Sequence, residues 1–447
     1  MTGLARLAVD IGGTFTDLVL EKGDGGFHSV KVLTTPHAPE LAVLEGTQRI
    51  LGEASVAASD VSLVIHGTTL ATNALIERKG AKTALIATEG FRDSVEIAYE
   101  HRFEQYDLYM ERPSPLVPRH LRLTVAERLA ADGSVLLPLD EAAVHTLIPV
   151  LAEEQIEAVA IGFLHSYANQ AHEKRAAEIL AAALPDVAIT LSSDVCPEIR
   201  EYERMSTACA NAYVQPLMAG YIRRLESGLQ ELGLNCPLLL MMSSGGVTTV
   251  ETAVRQPIRL VESGPAGGVI LALDVAAENG VQDALSFDMG GTTAKLTLID
   301  GLQPQYGRTF EVARAYRFLK GSGLPLRIPV IDMVEIGAGG GSIARVDELK
   351  RINVGPDSAG SDPGPACYAA GGTEPAVTDG DVVLGRIDPA NFAGGKIVLD
   401  AAAAEKAVAD NIAAALGMDT PTAAAGIAEI VDENMASAAR VHAVENG

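Results

Sequence analysis

The sequence predicts an α/β protein with two similar lobes, and three observations carry that prediction. Short apolar runs such as 84–87 and 158–164 alternate with helical patterns such as 173–183, which is typical of layered α/β folds. The pattern Asp-x-Gly-Gly-Thr occurs twice, beginning at Asp10 and at Asp288. The chain has 447 residues, which is more than one hydrophobic core usually supports. Repeat and length together indicate a duplicated architecture.

Each Asp-x-Gly-Gly-Thr segment lies between apolar runs and is predicted to form a tight turn between two strands that binds phosphate. Glycines let the backbone approach an anion, threonine hydroxyls donate hydrogen bonds, and an aspartate suits a hydrated divalent cation. A single turn of this kind also fits a plain hairpin in which glycine supplies a positive φ, but the repetition favours a phosphate site. The predicted phosphate contacts are Gly12, Gly13, Thr14, Thr16, Gly290, Gly291, Thr292 and Thr293.

Asp10 and Asp288 are the predicted metal ligands and catalytic carboxylates. We expect them to face one another across a cleft and to hold Mg²⁺ through its waters, because this cation prefers one or two carboxylates together with substrate phosphates. The hairpin amides would then stabilise the charge that develops on phosphoryl transfer. The alternative is that both aspartates only form turns.

Two further candidates follow the next strands of the first half. His66 ends the apolar run 61–65 and precedes a Gly-Thr-Thr turn into a helix that begins near Leu70. Ligands often bind where a strand end feeds a helix start, so His66 is a predicted catalytic residue, with a structural role as the alternative. Arg92, after the strand at 84–87, is predicted to position substrate together with Asp93, with ion pairing between lobes as the alternative.

The proline-rich segment 99–118 is expected to leave the core as a long loop.

The domain boundary is expected near residue 190. Turn-rich segments at 184–186 and 192–194 follow the helix at 173–183 and precede a helical pattern at 197–228, and such clusters mark connections between structural elements. The prediction is an N-terminal lobe over residues 1–190 and a second lobe over residues 191–447, each with one Gly-Gly-Thr hairpin.

The second half is predicted to contain a buried strand at 238–242, a loop at 263–268, a glycine- and proline-rich tract at 321–385 and an alanine-rich helical tail at 401–444. Asp332 and Glu335 follow the apolar run 328–331 and are predicted to contact substrate. The glycines of 337–341 form either a third anion cradle or a hinge or close packing turn. Lys295 either touches a phosphate or points to solvent. Cys367 is expected to be a small apolar residue rather than a nucleophile.

The composition of the chain limits which partners it can bind and in which compartment it is expected to occur. The 58 acidic and 34 basic residues give a formal charge of −24, which disfavours nucleic acid or an anionic membrane as a partner. No apolar run approaches the ~20 residues that span a bilayer. The first strand begins almost at Met1, which leaves no room for a signal peptide, and the four cysteines lack a framework spacing. The protein is therefore expected to be cytoplasmic with reduced thiols.

The chain resembles the hydantoinase/oxoprolinase family, specifically its A-type subunit (beta-type in acetone carboxylase), within the actin, hexokinase and heat-shock ATPase superfamily. The resemblance implies a duplicated actin-like, ribonuclease H-like fold. The motifs occur in family order along nearly the whole chain. They are the segments 10–17, 66–78, 88–93, 196–204, 263–268, 288–295, 337–344 and 355–368.

The resemblance implies an enzyme that uses ATP and Mg²⁺ to phosphorylate the carbonyl oxygen of a small cyclic amide, such as hydantoin, N-methylhydantoin or 5-oxoproline. A separate B-type hydantoinase subunit would complete the hydrolysis. The alternatives are the beta subunit of an ATP-dependent ketone carboxylase and a non-catalytic ATP-driven switch protein.

The chain departs from the family pattern at two places. Many relatives have Asp where Lys295 stands, and relatives continue past the helix that 429–445 resembles into a glycine-rich adenosine loop and a further region. From the family pattern we expect a complete phosphate half-site and an incomplete adenine side. The explanations that stay open are a fragment, a second polypeptide that completes the pocket, or impaired nucleotide binding.

Overall fold

The computed structural model describes residues 3–12, 15–35, 37–99, 102–314, 321–360, 362–392 and 398–445. The chain divides into two units, of which the first comprises Met1–Gly267 with Tyr306–Ile331 and the second comprises Gly268–Gln305 with Asp332–Gly447. Each unit combines sheets with helices, as the sequence predicts.

The main sheet of the first unit has six strands, which are β1 (Gly3–Ile11), β2 (Phe15–Gly23), β3 (Phe27–Leu33), β4 (Val61–Thr68), β11 (Leu238–Met241) and β12 (Val247–Thr249). Their order in the sheet is β12-β11-β4-β1-β2-β3. The first three form an antiparallel meander, and β4 runs parallel to β1. Every second residue of β1 from Ala5 to Ile11 is buried, because successive strand residues point to opposite faces. Helix α1 (Pro39–Ala54) packs on β2 and β3.

A second sheet of the same unit has the strands β5 (Thr83–Thr88), β6 (Arg122–Val125), β9 (Ala158–Gly162) and β10 (Ala188–Leu191), and β7 (Arg128–Leu129) pairs with β8 (Val135–Leu137). This sheet is parallel throughout, in the order β10-β9-β5-β6. Every residue of β5 and β9 is buried, which explains their largely apolar sequences, since parallel strands are covered on both faces. The nearby helices are α2 (Leu70–Ile76), α3 (Ser94–Ile97), α4 (Glu141–Glu153), α5 (Ala171–Ala183) and α6 (Ser192–Val195).

The long helix α7 (Glu201–Glu231) joins the hydrophobic cores on these two sheets. Met205 and Cys209 belong to the core on the parallel sheet, whereas Val214 and Tyr221 belong to the core on the six-stranded sheet. Residues 191–267 therefore pack into the first unit, and the structure divides the chain at a different place from the predicted boundary near residue 190. The turn-rich segment there connects two elements of one unit.

The remaining elements of the first unit follow α7 or return from later in the chain. They are α8 (Val250–Arg255), the start of α9 (Ser263–Glu278), β16 (Tyr306–Gly307), β17 (Phe310–Val312), β18 (Leu324–Leu326) and β19 (Val330–Ile331). The segment 263–268, predicted as a loop, is the beginning of helix α9, so that prediction is wrong.

The second unit repeats the antiparallel order of the first hairpin. Strand β14 (Ala294–Asp300) lies between β13 (Ala284–Met289) and β20 (Val334–Ile336) and is antiparallel to both, as β2 is to β1 and β3. The other strands are β15 (Gln303–Pro304), β21 (Ser342–Val346) and β22 (Ile352–Ser358). Helices α10 (Val377–Val383), α11 (Ala401–Val408), α12 (Ala414–Leu416) and α13 (Thr420–Glu445) supply the core and confirm the helical tail. In the described ranges, no helix has both the length and the apolar character needed to cross a bilayer.

Candidate phosphate-binding hairpins

The first hairpin has the tight geometry expected of a phosphate turn. Asp10 and Asp17 are paired at the ends of β1 and β2, and the Gly12 amide donates to the Phe15 carbonyl at 2.9 Å. A Cβ atom at Gly12 would stand 3.1 Å from that carbonyl oxygen, so the turn favours glycine there. Gly13 and Thr14 lie outside the described residues, and their phosphate contacts stay predictions.

Two segments from elsewhere in the chain lie beside the carboxylate of Asp10. Gly67 is paired with Asp10 across β4, and a Cβ atom at Gly67 would stand 2.7 Å from Asp10 Oδ1. A Cβ atom at Gly264, in the first turn of α9, would stand 3.1 Å from Oδ1 and 3.3 Å from Oδ2. The Ser263 hydroxyl ties these segments together, because it donates to the Thr68 carbonyl at 3.1 Å and accepts from the Thr68 amide at 3.2 Å. Asp10 is itself exposed, so its carboxylate lies beside the backbone of Gly67 and Gly264 and is still accessible to solvent.

Thr16 does not have the position expected of a phosphate donor. Its side chain is fully buried, and its hydroxyl lies 3.1 Å from the hydroxyl of Thr34, which donates to the Gly12 carbonyl at 2.9 Å. Since the Thr34 proton is used on Gly12, Thr16 is the donor of the pair. The described contacts therefore argue against the predicted phosphate contact, and Thr16 stabilises the turn instead.

His66 lies in the core rather than on an open cleft. It is 1% exposed. Its Nδ1 donates to the Val9 carbonyl at 3.3 Å, and its Nε2 accepts from the Tyr221 hydroxyl at 2.7 Å. Burial lowers the pKa of His66 to about 4, so the imidazole is neutral at physiological pH. With both ring nitrogens occupied, His66 fits the structural alternative and not the predicted catalytic role.

The second hairpin repeats the first in register and in turn. Asp288 is paired with Lys295 across β13 and β14, and the Gly290 amide donates to the Thr293 carbonyl at 2.8 Å. Gly290 corresponds to Gly12, since each glycine lies two residues after its aspartate. Asp288 and the segment 290–292 are exposed, and nothing lies within 4 Å of a Cβ atom placed at Gly291. This geometry fits close approach of an anion to the backbone.

The glycine-rich loop 337–341 is hydrogen-bonded to the turn of this second hairpin. The Gly340 amide donates to the Gly290 carbonyl at 3.0 Å, and the Gly341 amide donates to the Gly291 carbonyl at 2.7 Å. A Cβ atom at Gly339 would stand 2.7 Å from the Gly291 carbonyl carbon. Of the two interpretations left open by the sequence, these contacts favour the close packing turn over a third anion cradle.

Each unit carries a row of three charged residues across its hairpin, two acidic and one basic, and the rows differ in the order of these charges. In the first unit the row is Asp10, Asp17 and Lys31, in which Lys31 Nζ lies 2.6 Å from Asp17 Oδ1. In the second unit the row is Asp288, Lys295 and Glu335. The acid and the base have exchanged places, which gives the unusual Lys295 an acidic neighbour in register on each side. Opposite charges in such cross-strand pairs stabilise a sheet.

The remaining predicted substrate residues lie in different surroundings. Arg92 is adjacent to Asp93, whose carboxylate accepts two hydrogen bonds from Arg119, so the ion pairing here is within the first unit. Asp332 is half-buried, and its amide donates to the Gln305 carbonyl at 2.8 Å. The substrate contacts of Arg92, Asp332 and Glu335 stay predictions. Cys367 is fully buried, and burial raises the pKa of its thiol, as expected for a small apolar residue.

Sequence reasoning missed the two glycines that lie beside Asp10 and the Ser263 hydroxyl that joins their segments. Gly67 and Gly264 occur in motifs that identify the family, but their approach to Asp10 joins positions far apart in the chain. The burial of Thr16 had a local signal, because it shares the inward face of β2 with Leu18 and Leu20. Among the described residues, no group of three or more His, Cys, Asp or Glu side chains is arranged to hold a metal ion.

Comparison with known proteins identifies the family. The Hydantoinase/oxoprolinase model matches residues 204–447, and the model of the Hydantoinase/oxoprolinase N-terminal region matches residues 6–184. The chain is 39% identical over 449 residues to an uncharacterised protein of Methanocaldococcus jannaschii, covering 99% of this chain and 65% of that protein. It is 40% identical over 448 residues to caprolactamase subunit alpha of Pseudomonas jessenii, covering 99% and 63%.

Two solved structures resemble the whole chain. The ATP-dependent caprolactamase of Pseudomonas jessenii has a TM-score of 0.83 at 40% identity and covers 97% of this chain and 62% of its own. Nucleotide-free acetone carboxylase has a TM-score of 0.83 at 27% identity and covers 100% and 64%. The predicted fold class and family resemblance are confirmed. The chain spans less than two thirds of the length of these proteins.

Proposed function

The chain belongs to the hydantoinase/oxoprolinase family, and from this membership and the paired hairpins we propose that it binds ATP with Mg²⁺ and activates a cyclic amide for hydrolysis. The observation that carries the proposal is the recurrence of one turn geometry, with Gly12 and Gly290 making the same hydrogen bond two residues after Asp10 and Asp288. The substrate class is a ring of the hydantoin, N-methylhydantoin or 5-oxoproline type.

The two hairpins divide the work of binding ATP and its cation. The exposed turn at 290–292 and the predicted contacts at Gly12, Gly13 and Thr14 approach the phosphates through backbone amides and hydroxyls. Asp10 and Asp288 would hold Mg²⁺, which neutralises phosphate charge when bound. The fit rests on an exposed Asp10 carboxylate beside Gly67 and Gly264, because a side chain at either position would crowd it.

Phosphorylation answers a chemical difficulty in opening a cyclic amide. An amide carbonyl is a poor electrophile, and its nitrogen is a poor leaving group. Transfer of the γ-phosphoryl group to the carbonyl oxygen breaks the bond from phosphorus to the ADP oxygen and gives an O-phosphorylated imidate, which water attacks more readily. We assign the transfer to this chain and the later hydrolysis to a B-type subunit. A relative of this chain is the alpha subunit of caprolactamase, which supports the proposal that this chain acts together with a second subunit.

A second candidate function is ATP-dependent carboxylation of a ketone. The observation that favours it is the likeness to acetone carboxylase over 100% of this chain. Both candidates use phosphoryl transfer to an oxygen atom, so the hairpins alone do not separate them.

The test is release of phosphate from ATP by this chain with Mg²⁺ and the co-encoded B-type subunit. Hydantoin, N-methylhydantoin, 5-oxoproline and ε-caprolactam are compared with acetone plus bicarbonate. Stimulation by a cyclic amide, with appearance of the ring-opened acid, supports the amidase. Stimulation only by acetone and bicarbonate supports the carboxylase. Turnover that depends on the partner and ignores every substrate contradicts both and supports an ATP-driven switch.

A further inference from the structure

The carbonyl group of Gly12 is held by a side chain from outside its own turn. The Thr34 hydroxyl donates to this carbonyl at 2.9 Å, and Thr34 directly follows strand β3. The Gly12 amide donates to the Phe15 carbonyl, so both backbone polar groups of Gly12 are engaged. Two hydrogen bonds to different segments therefore determine how this residue is oriented.

The Thr34 hydroxyl is itself anchored in the core. It lies 3.1 Å from the hydroxyl of Thr16, which is fully buried on the inward face of β2 with Leu18 and Leu20. A hydroxyl has one proton to donate, and Thr34 uses its proton on Gly12, so Thr34 accepts from Thr16. Consecutive hydrogen bonds polarise one another, and a β-branched side chain has few rotamers. The relay from Thr16 through Thr34 is therefore a stiff connection between the core and the Gly12 carbonyl.

The second hairpin holds the equivalent carbonyl with a different donor. Gly290 corresponds to Gly12, and its carbonyl accepts from the Gly340 amide at 3.0 Å. Gly340 lies four residues after the end of β20, whereas Thr34 follows β3, and each of these strands is the third of its antiparallel set. A hydroxyl in one unit and a backbone amide in the other thus do the same work. The feature that both hairpins share is the orientation of this peptide group.

The orientation of that carbonyl determines where the next amide points. In a planar trans peptide the C=O and the following N–H point in opposite directions, so a carbonyl held by one segment leaves the next amide directed away from it. In the second hairpin that amide belongs to Gly291, which is exposed and has nothing within 4 Å of a Cβ atom. An amide directed into open space can donate to an anion. In the first hairpin the following amide is that of Gly13, a predicted phosphate contact.

We propose that Thr34 is a positioning residue for the triphosphate, because by holding the Gly12 carbonyl it directs the amide of the Gly12–Gly13 peptide to a phosphate oxygen. Thr34 does not contact the phosphate itself, since its proton is used on Gly12. Thr16 acts one step further away, through Thr34. The inference rests on the proposed binding of ATP and adds the residue that orients one of its amide donors.

The test is calorimetric titration of the chain with ATP and with tripolyphosphate, each with Mg²⁺. Thr34→Val keeps the shape of the side chain and removes the hydroxyl. We expect its affinity for both ligands to fall roughly 10- to 100-fold, as for loss of a hydrogen bond to a charged group. Thr34→Ser retains the hydroxyl and should stay within about threefold of wild type. Thr35→Val is the matched control, because among the described contacts Thr35 uses its backbone carbonyl and not its hydroxyl.

A second comparison tests the order of the relay. Thr16→Val should weaken binding only about two- to threefold, because Thr34 still donates to Gly12. Adding Thr16→Val to Thr34→Val should bring no further loss, since Thr16 acts only through Thr34. A loss in the double variant that multiplies the two single losses would contradict the relay.

Denaturant unfolding of each variant separates positioning from stability. If Thr34 only stabilises the turn, Thr34→Val lowers the unfolding midpoint and leaves the affinity of the folded protein unchanged. That result, or an equal loss of affinity in Thr34→Ser and Thr34→Val, would overturn the proposal. If Thr34→Val fails to fold, Thr34→Ala provides the same comparison with Thr34→Ser.

Failure of this inference and failure of the proposed function give different results. If the wild type binds tripolyphosphate but no cyclic amide stimulates hydrolysis, the proposed activity is refuted, and weaker binding by Thr34→Val still supports the positioning role. Stimulated hydrolysis with an unchanged KM for ATP in Thr34→Val would refute the positioning role alone. A wild type that binds neither ligand would overturn both.

Discussion

The Oδ1 atom of Asp10 lies 2.7 Å from the point at which a Cβ atom on Gly67 would stand. Because this distance is shorter than any ordinary contact, Gly67→Ala must move the carboxylate or the strand that carries it. We expect the affinity for ATP with Mg²⁺ to fall roughly 10- to 100-fold, as for loss of an interaction with a charged group. Equilibrium nucleotide binding measures this. Gly52→Ala is the control, since a Cβ atom there has nothing within 4 Å, and an equal loss in both variants would contradict the explanation.

In the second unit, Gly339→Ala should disrupt the support of the hairpin. Its Cβ atom would stand 2.7 Å from the Gly291 carbonyl carbon, which forces apart the adjacent backbone hydrogen bonds from Gly340 and Gly341. We expect a loss of about 2 kcal/mol of unfolding free energy, from two bonds worth ~1 kcal/mol each. Hydrogen exchange at those two amides should accelerate. Gly268→Ala, also in open space, should leave exchange unchanged, and continued protection in Gly339→Ala would refute the packing role.

The different charge order of the second hairpin gives a prediction with an internal control. Lys295→Asp places three acidic residues in one cross-strand row with Asp288 and Glu335, and it should cost about 1–2 kcal/mol of stability through lost attraction and new repulsion. Adding Glu335→Lys recreates the charge order of Asp10, Asp17 and Lys31, and it should recover at least half of the loss. Denaturant unfolding of the two variants measures this coupling. If the double variant is less stable than Lys295→Asp, the row does not act as an ion pair.

Protonation of His66 should destabilise the fold in acid. Its folded pKa of about 4 lies below the ordinary value of 6.5, so the unfolded chain binds the additional proton between those pH values. The contribution of His66 to the unfolding free energy should therefore be constant above about pH 7 and fall by about 3 kcal/mol as the pH drops through 6.5 towards 4. His66→Gln should lack this part of the pH dependence. An identical slope in both proteins would show that His66 does not titrate in this way.

The Tyr221 hydroxyl is the hydrogen-bond donor to His66. Tyr221→Phe removes the 2.7 Å hydrogen bond to Nε2 and leaves a buried acceptor without its partner, which should cost about 1–3 kcal/mol of stability. Because the hydrogen bond lies in the core and not at a reacting atom, the affinity for ATP should stay within about twofold of wild type once folding is corrected for. A selective loss of nucleotide binding at an unchanged melting temperature would contradict the structural role of His66 and support the predicted catalytic role.

The sequence predicted the parts of the site that depend on local spacing. Asp10 and Asp288 stand two residues before their glycine pairs, and both segments form the tight turn between two strands that this pattern predicts. The burial of Thr16 and His66 could also have been inferred, because each shares an inward strand face with apolar neighbours, Leu18 in β2 and Val64 in β4.

Contacts between segments that are distant in the chain could not be predicted from local sequence patterns. Gly67 and Gly264 lie beside Asp10 through the pairing of β1 with β4 and the position of the first turn of α9, and neither contact can be read from the local sequence around Asp10. The division of the chain after residue 267 and the support of Gly290 by Gly340 have the same origin. Each results from contacts between segments that are distant in sequence.

The most direct test of the central claim is ATP binding in the presence and absence of Mg²⁺ by wild type, Asp10→Asn and Asp288→Asn. Each substitution preserves shape and removes one negative charge, so each should lower the Mg²⁺-dependent affinity roughly 10- to 100-fold. Asp60→Asn, at an exposed carboxylate, should bind as wild type does. Wild-type affinity in either hairpin variant would contradict the claim that both aspartates serve one nucleotide.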